Sequence, residues 1–504
     1  MELFTGKISG KQLEDFFTNA IEHQKQNINN AIQEFEMPQL FNNWRILIRS
    51  IDEIINIPYE LKSAEETGHF LELDFDLLET DNINRLNSEL GIIRERFGIQ
   101  VAERLEKLCM MSFLIHEEYQ HNGFYKFLGN VNLSNAINAI LFFQSRRLYY
   151  VAIQSLIPKI SQGKKRIQYS ELLNHFQPII DSNMVGITSS YQYLLQNESL
   201  TDFEMTSDGL MAGGNFAYTH LEGFFTEPER LSLLDQLELR PDIVVIKKQL
   251  PKSDKLIFSF SEVANTMLLF EGAFDKYQID QRKEFIELNS FFLEVGVYII
   301  DDFDIVIPRD DFNIIATKYP KFELSVNSSD YFAVLNSFAP FQEAADNYHS
   351  TIVFLARFAY RTLSLCLLKN KTFQINSGFI FEHKISEILT KNGFNVLPIK
   401  RIKRKEFDLI TTKNGKVYNF QCKNNFLDIT KVGMNYKKIG RLIKLLCTSY
   451  EKALVKEAGR ETLIKEATGI NDIEHFVVSR FPVITRNQKI INFNDLENRL
   501  IIGL

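Results

Sequence analysis

The chain has 504 residues, of which 45% are hydrophobic and 24% charged, with a formal net charge of −7. That length suits roughly two to four domains with cores of their own, and the composition is ordinary for globular protein. No apolar run approaches the ~18 residues that a membrane helix needs, and Met1–Lys7 carries no basic-then-apolar leader, so a cytoplasmic location without membrane contact is expected. Four cysteines, at positions 109, 366, 422 and 447, form neither a CxxC pair nor a zinc spacing, which suits a reducing compartment.

The charge is unevenly placed. Residues 371–504 hold 24 Lys and Arg against 13 Asp and Glu, a net of +11, whereas residues 1–370 carry −18. An acidic protein does not bind nucleic acid over its whole surface, but a basic module within it can do so locally.

In chain order, the first 180 residues read as mainly helical. Gln12–Phe35 has Leu13, Phe16, Phe17, Ile21 and Ile28 at helical spacing and is closed by Pro38. Trp44–Ile57 is a second helix, predicted to stop at Pro58. Ile92–Tyr119 and Leu133–Leu156 are two further ones, expected to pack as a bundle or array. His116 and His121 are five apart, so they diverge on a helix and do not make the i, i+4 zinc pair. Residues 180–235 read as a polar connection, with Gly213-Gly214 in a loop.

From 240 the pattern changes to that of a small α+β module. Strands are predicted over Asp242–Ile246, Lys255–Phe260, Asp304–Ile307, Phe312–Ala316 and Phe322–Val326, with helices over Val263–Phe270 and Arg282–Val295. Asp301, Asp302, Asp304, Asp310 and Asp311 cluster there and read as turn formers rather than cation ligands. Ala344–Leu368 reads as a helix leading into the last domain. The expected organisation is therefore a mainly α region over 1–235, an α+β module with its linking helix over 236–370, and a C-terminal α/β domain with a mixed sheet over 371–504.

The C-terminal domain carries the chemistry. Phe381, Ile385, Ile388 and Leu389 form a narrow helical stripe that ends at Asn392-Gly393, with Glu382 beside it. Phe407–Ile410 reads as a strand, Asn414-Gly415 as a hairpin turn, and Val417–Lys423 as the return strand. Strand alternation puts Gln421 and Lys423 on one face, across the hairpin from Asp408. A carboxylate and a neighbouring amide oxygen can hold Mg²⁺, which takes hard oxygen ligands, and a nearby lysine can stabilise charge on a phosphate. Lys400, Arg401, Lys403, Arg404 and Lys405 lead into Asp408, and Lys437, Lys438 and Arg441 recur on a later helix (Tyr436–Val455); both groups are candidate phosphate contacts. Phe476–Ser479 is a further strand.

Glu382, then Asp408, then Gln421-x-Lys423, at spacings of 26 and 13 residues, resembles the PD-(D/E)XK nuclease superfamily, and within it the Mrr-like restriction endonuclease branch. The resemblance covers the last quarter of the chain. It implies a mixed sheet flanked by helices and Mg²⁺-dependent hydrolysis of DNA, with Mn²⁺ as a substitute. Asp408, Gln421 and Glu382 would be the metal-binding set and Lys423 the catalytic lysine. Gln421 departs from the acidic consensus; a neutral ligand holds metal more weakly, so higher metal concentration or an activating event is expected. The resemblance also implies prokaryotic defence against foreign DNA as the setting. The acidic N-terminal region would then recognise, scaffold or restrain the nuclease, through a protein partner or within a homodimer or larger oligomer. The alternative is a nucleic-acid binding or assembly protein with a degenerate nuclease domain.

Overall fold

The computed structural model describes residues 6–125, 133–206, 250, 252–280, 282–330, 333–334, 337–425 and 435–503. The chain forms two compact units. One gathers Met1–Glu22, Ile187–Leu239 and Leu367–Leu504; the other gathers His23–Gly186 and Arg240–Cys366. The units are assembled from interleaved segments rather than consecutive ones. No helix among the described residues is long and apolar enough to cross a membrane.

The N-terminal half is helical, as its periodicity predicts. Helices run Gly10–Gln33, Met37–Glu60, Ala64–Leu71, Thr80–Phe97, Ile99–His121, Ala136–Ile160 and Tyr169–Ser199. Pro38 lies in the first turn of the second helix, where its missing N–H costs nothing. Pro58 does not stop that helix, which continues two residues further to Glu60. Gly98, at φ 96°, divides the expected Ile92–Tyr119 helix in two. The stretch from 180 is no polar connection at first, because the last of these helices runs on to Ser199. Gly213-Gly214 and Asp242–Ile246 lie outside the described residues.

In the middle of the chain the helices Ser261–Lys276 and Arg282–Val295 form as expected, and Asp304–Pro308 is a strand. It joins Asn347–Thr351 and Gln342–Ala344 in a three-stranded antiparallel sheet. The other expectations here are corrected. Lys255–Phe260 is irregular, with Ile257 and Phe258 both buried as neighbours, a pattern that suits neither face of a strand. Arg309–Lys318 is a helix: Phe312 and Ile315 are buried three residues apart while Ile314 is exposed, whereas a strand would have buried Phe312 with Ile314. Phe322–Val326 makes only an isolated bridge, Ser325 to Phe341. The helix expected from Ala344 begins at Ile352, after two strands joined by a turn in which Ala345 takes φ 53°. The Asp cluster caps a turn through Asp301, which accepts from the N–H groups of Phe303 and Asp304 at 2.9 and 2.8 Å. It also receives Arg49, 2.6 Å from Asp301 and 2.7 Å from Asp302.

The C-terminal segment builds a five-stranded mixed sheet. Asn395–Leu397, Leu409–Lys413 and Lys416–Lys423 form an antiparallel meander; Ile473–Ser479 then joins the last of these in parallel, and Ile490–Asn492 joins it in turn. Asn414 and Gly415 take φ 52° and 76°, the paired left-handed conformations of a two-residue hairpin turn. Helix Lys371–Lys391 lays Phe381, Ile385 and Leu389 on the face carrying Leu409, Phe420 and Phe476. The opposite face, with Ile410 and Val417, is covered in part by Ile464 of helix Glu461–Thr468. A mixed sheet between helices is thus present, in the segment where the sequence placed it.

Candidate functional site

The strand Lys416–Lys423 is the centre of the sheet and projects the alternation that the sequence predicts. Phe420 enters the core beside helix Lys371–Lys391, and Gln421 points to the other face, where it is buried at 7% exposure. Lys423, half-buried, donates its ammonium to Gln421 Oε1 at 3.3 Å. The pairing of Leu409 with Phe420 is the last in the hairpin, so Asp408 lies where the two strands part. Its carboxylate is held at one oxygen: Oδ2 accepts from the backbone N–H of Cys422 at 2.7 Å, between the two residues Gln421 and Lys423.

Glu382 comes from the helix on the first face, and among the described residues its hydrogen bond goes to Lys400 rather than to Gln421 or Lys423. Its link to Asp408 is Lys400, whose ammonium donates to Glu382 Oε2 at 2.9 Å and to the Asp408 main-chain carbonyl at 2.8 Å. The structure therefore draws the four sequence candidates into one neighbourhood as two pairs. Gln421 and Lys423 touch directly, and Glu382 and Asp408 are bridged by a lysine.

Burial raises the carboxyl of Asp408 above the ordinary range; the Cys422 N–H and the charges of Lys423, Lys400 and Lys456 pull it back. Burial also raises Glu382, with the Lys400 hydrogen bond opposing and the negative charge of Asp408 adding to the rise. Burial, with the Asp408 and Glu382 charges, holds the Cys422 thiol well above its ordinary range, so it stays protonated and is no nucleophile. Two half-buried acids, one of which raises the other, form a site that gains from a cation.

Of the expected phosphate contacts, Arg401–Glu406 forms a short hairpin with the turn at Lys403-Arg404. Arg401 pairs with Glu406, and Lys403 with Glu466 at 2.5 Å. Lys400 belongs to the site itself. Lys437 is held by Glu14 at 2.6 Å and Arg441 lies 4.0 Å from Glu198, while Lys438 is exposed on the first turn of its helix. The bridging role of Lys400 and the charge of Lys456 near Asp408 were not legible in the sequence. Lys400 reads as one member of a basic run, and Lys456 lies beyond the row Lys437, Lys438 and Arg441 on helix Tyr436–Ala458.

A second polar layer lies under Gln421. Asn419 donates to Glu457 Oε2 and lies against His475 Nδ1, both at 3.1 Å, and His475 Nε2 is 3.3 Å from Glu461. Gln421 Nε2 and Asn419 Oδ1, two residues apart on one face, are both buried without a hydrogen-bond partner among the described residues. No family model, no curated protein and no solved structure matches this chain.

Proposed function

We propose that the C-terminal segment is a metal-dependent DNA endonuclease of the PD-(D/E)XK kind, with Asp408, Gln421 and Glu382 as the metal-binding set and Lys423 as the catalytic lysine. The observation that carries the reading is the Asp408–Cys422 contact. It sets an acid against the strand position between Gln421 and Lys423, as a shared metal and phosphate site requires.

The donor atoms are of the type that Mg²⁺ or Mn²⁺ takes. Asp408 keeps one carboxylate oxygen beyond its bond to Cys422, Glu382 keeps one beyond its bond to Lys400, and the Gln421 carbonyl oxygen has a second lone pair beyond the one used by Lys423. All are hard oxygens, the kind these cations select. The metal would lower the pKa of a bound water and take up charge on the phosphate. Lys423, half-buried and tethered by Gln421, would place its ammonium against the developing oxyanion; its direction is fixed by the strand rather than by a loop. Asp408, held at one oxygen by a backbone N–H, keeps the other aimed in a fixed direction. Lys400 and Lys456 add positive charge for a polyanionic substrate.

The second reading, a binding or assembly protein with a degenerate site, is favoured by two observations. Candidate oxygens on Glu382 and Gln421 already accept from lysine ammoniums, and no group of three or more His, Cys, Asp or Glu is poised for a metal among the described residues. Cleavage of plasmid in Mg²⁺ or Mn²⁺, compared between wild type and Lys423→Ala, separates the two: the nuclease reading predicts metal-dependent cleavage that the variant loses. DNA retained in a gel shift without cleavage supports the binding protein.

A further inference from the structure

Lys400 sets its ammonium between the Glu382 carboxylate and the Asp408 main chain. Among the described residues it is the partner of Glu382, and its second bond, to the Asp408 carbonyl, puts one ammonium at the junction of the two acids. The two ends of the ion pair differ. The Glu382 side chain is 18% exposed and fixed on a helix, whereas the Lys400 side chain is 65% exposed on a flexible stem. A lysine so exposed leaves its partner at little cost, because water solvates the ammonium well. A carboxylate so enclosed, once left alone, is strongly disfavoured until another cation replaces the lysine.

We propose that Lys400 is an exchangeable internal cation: it neutralises Glu382 while no divalent ion is bound, yields the carboxylate when one binds, and so sets the metal affinity of the site. The inference rests on the reading of Glu382 and Asp408 as metal ligands. The residue stands at the root of the basic hairpin Arg401–Glu406, so a phosphate bound there offers the displaced ammonium a second anion. Nucleic acid and metal would then bind cooperatively, each favouring the arrangement in which Lys400 has left Glu382.

The test is Mn²⁺ binding to the full-length protein without nucleic acid, measured by titration calorimetry for wild type, Lys400→Met, Lys400→Gln and Asp408→Ala. Both Lys400 variants are expected to bind Mn²⁺ roughly fivefold more tightly, the scale of a largely exposed ion pair that no longer competes. Asp408→Ala is expected to bind more weakly than wild type. If the Lys400 variants bind Mn²⁺ equally or more weakly while Asp408→Ala loses it, Lys400 is a support and not a competitor, and the metal site stands. If Asp408→Ala binds as wild type does, the metal lies elsewhere and both readings fall.

Discussion

Asp408 is the residue on which the chemistry and the stability of this protein pull apart. Burial raises its carboxyl pKa in the folded chain above the value it has when unfolded. The folded state therefore loses stability, relative to the unfolded one, as pH rises from the unfolded pKa through the folded pKa. Below both values Asp408 is protonated in either state and nothing is lost. Asp408→Asn removes the ionisation and keeps an oxygen for the Cys422 N–H. Its thermal midpoint should be about 2 °C above wild type at neutral pH, the scale of a ~1 kcal/mol gain, and should converge with wild type in acid. An Asn variant less stable than wild type at neutral pH would show that Lys423, Lys400 and Lys456 more than offset the burial. At this scale the sequence was informative where strand alternation decides direction, as for Gln421 and Lys423. It was uninformative for Glu382, because the length and reach of Lys400 across the strand ends are tertiary facts.

Two hairpins illustrate what an element reveals beforehand. Asn414-Gly415 was legible, because the residue types that tolerate left-handed backbone stand between two apolar runs. The Arg401–Glu406 hairpin was not, because its turn places Lys403 at φ 44° and Arg404 at φ 67°, where neither residue is at ease. A strained turn carrying two cations beside an acidic site is explained if the cations are needed at its tip. Arg404→Gly relieves the backbone and removes the charge, so it should stabilise the chain by about 1 kcal/mol and weaken DNA binding. Denaturant unfolding and a binding titration check the two halves; a variant with unchanged DNA affinity would leave the strain without a use. The missed elements around 309–326 and 342–351 share a cause. Neither announces itself locally: the apolar run from Phe312 fits either period and is settled by the contacts of Phe312 with Phe341 and Tyr348, and the polar stretch 342–351 carries no alternation that marks its strands.

Over the whole molecule, the contrast between the basic last quarter and the acidic remainder was readable at once, since charge is additive along a chain. The gathering of three distant segments into one unit was not, since nothing in local composition encodes which segments close on each other. For the proposed DNA binding, the charge contrast predicts an electrostatic and confined interaction. Affinity should fall steeply with salt, by about tenfold or more between low and physiological ionic strength, and residues of the last quarter should account for the slope. A flat salt response would place recognition outside the basic segment. The central claim concerns chemistry, and the most direct measurement is single-turnover cleavage of plasmid in Mn²⁺ by wild type and Lys423→Ala of matched thermal midpoint. The account predicts metal-dependent cleavage by wild type and a loss of about 10²–10³ in the variant, the usual cost of deleting one preorganised charge at a reacting phosphate. Equal rates in the two proteins, or no cleavage by wild type on any nucleic acid, would contradict it.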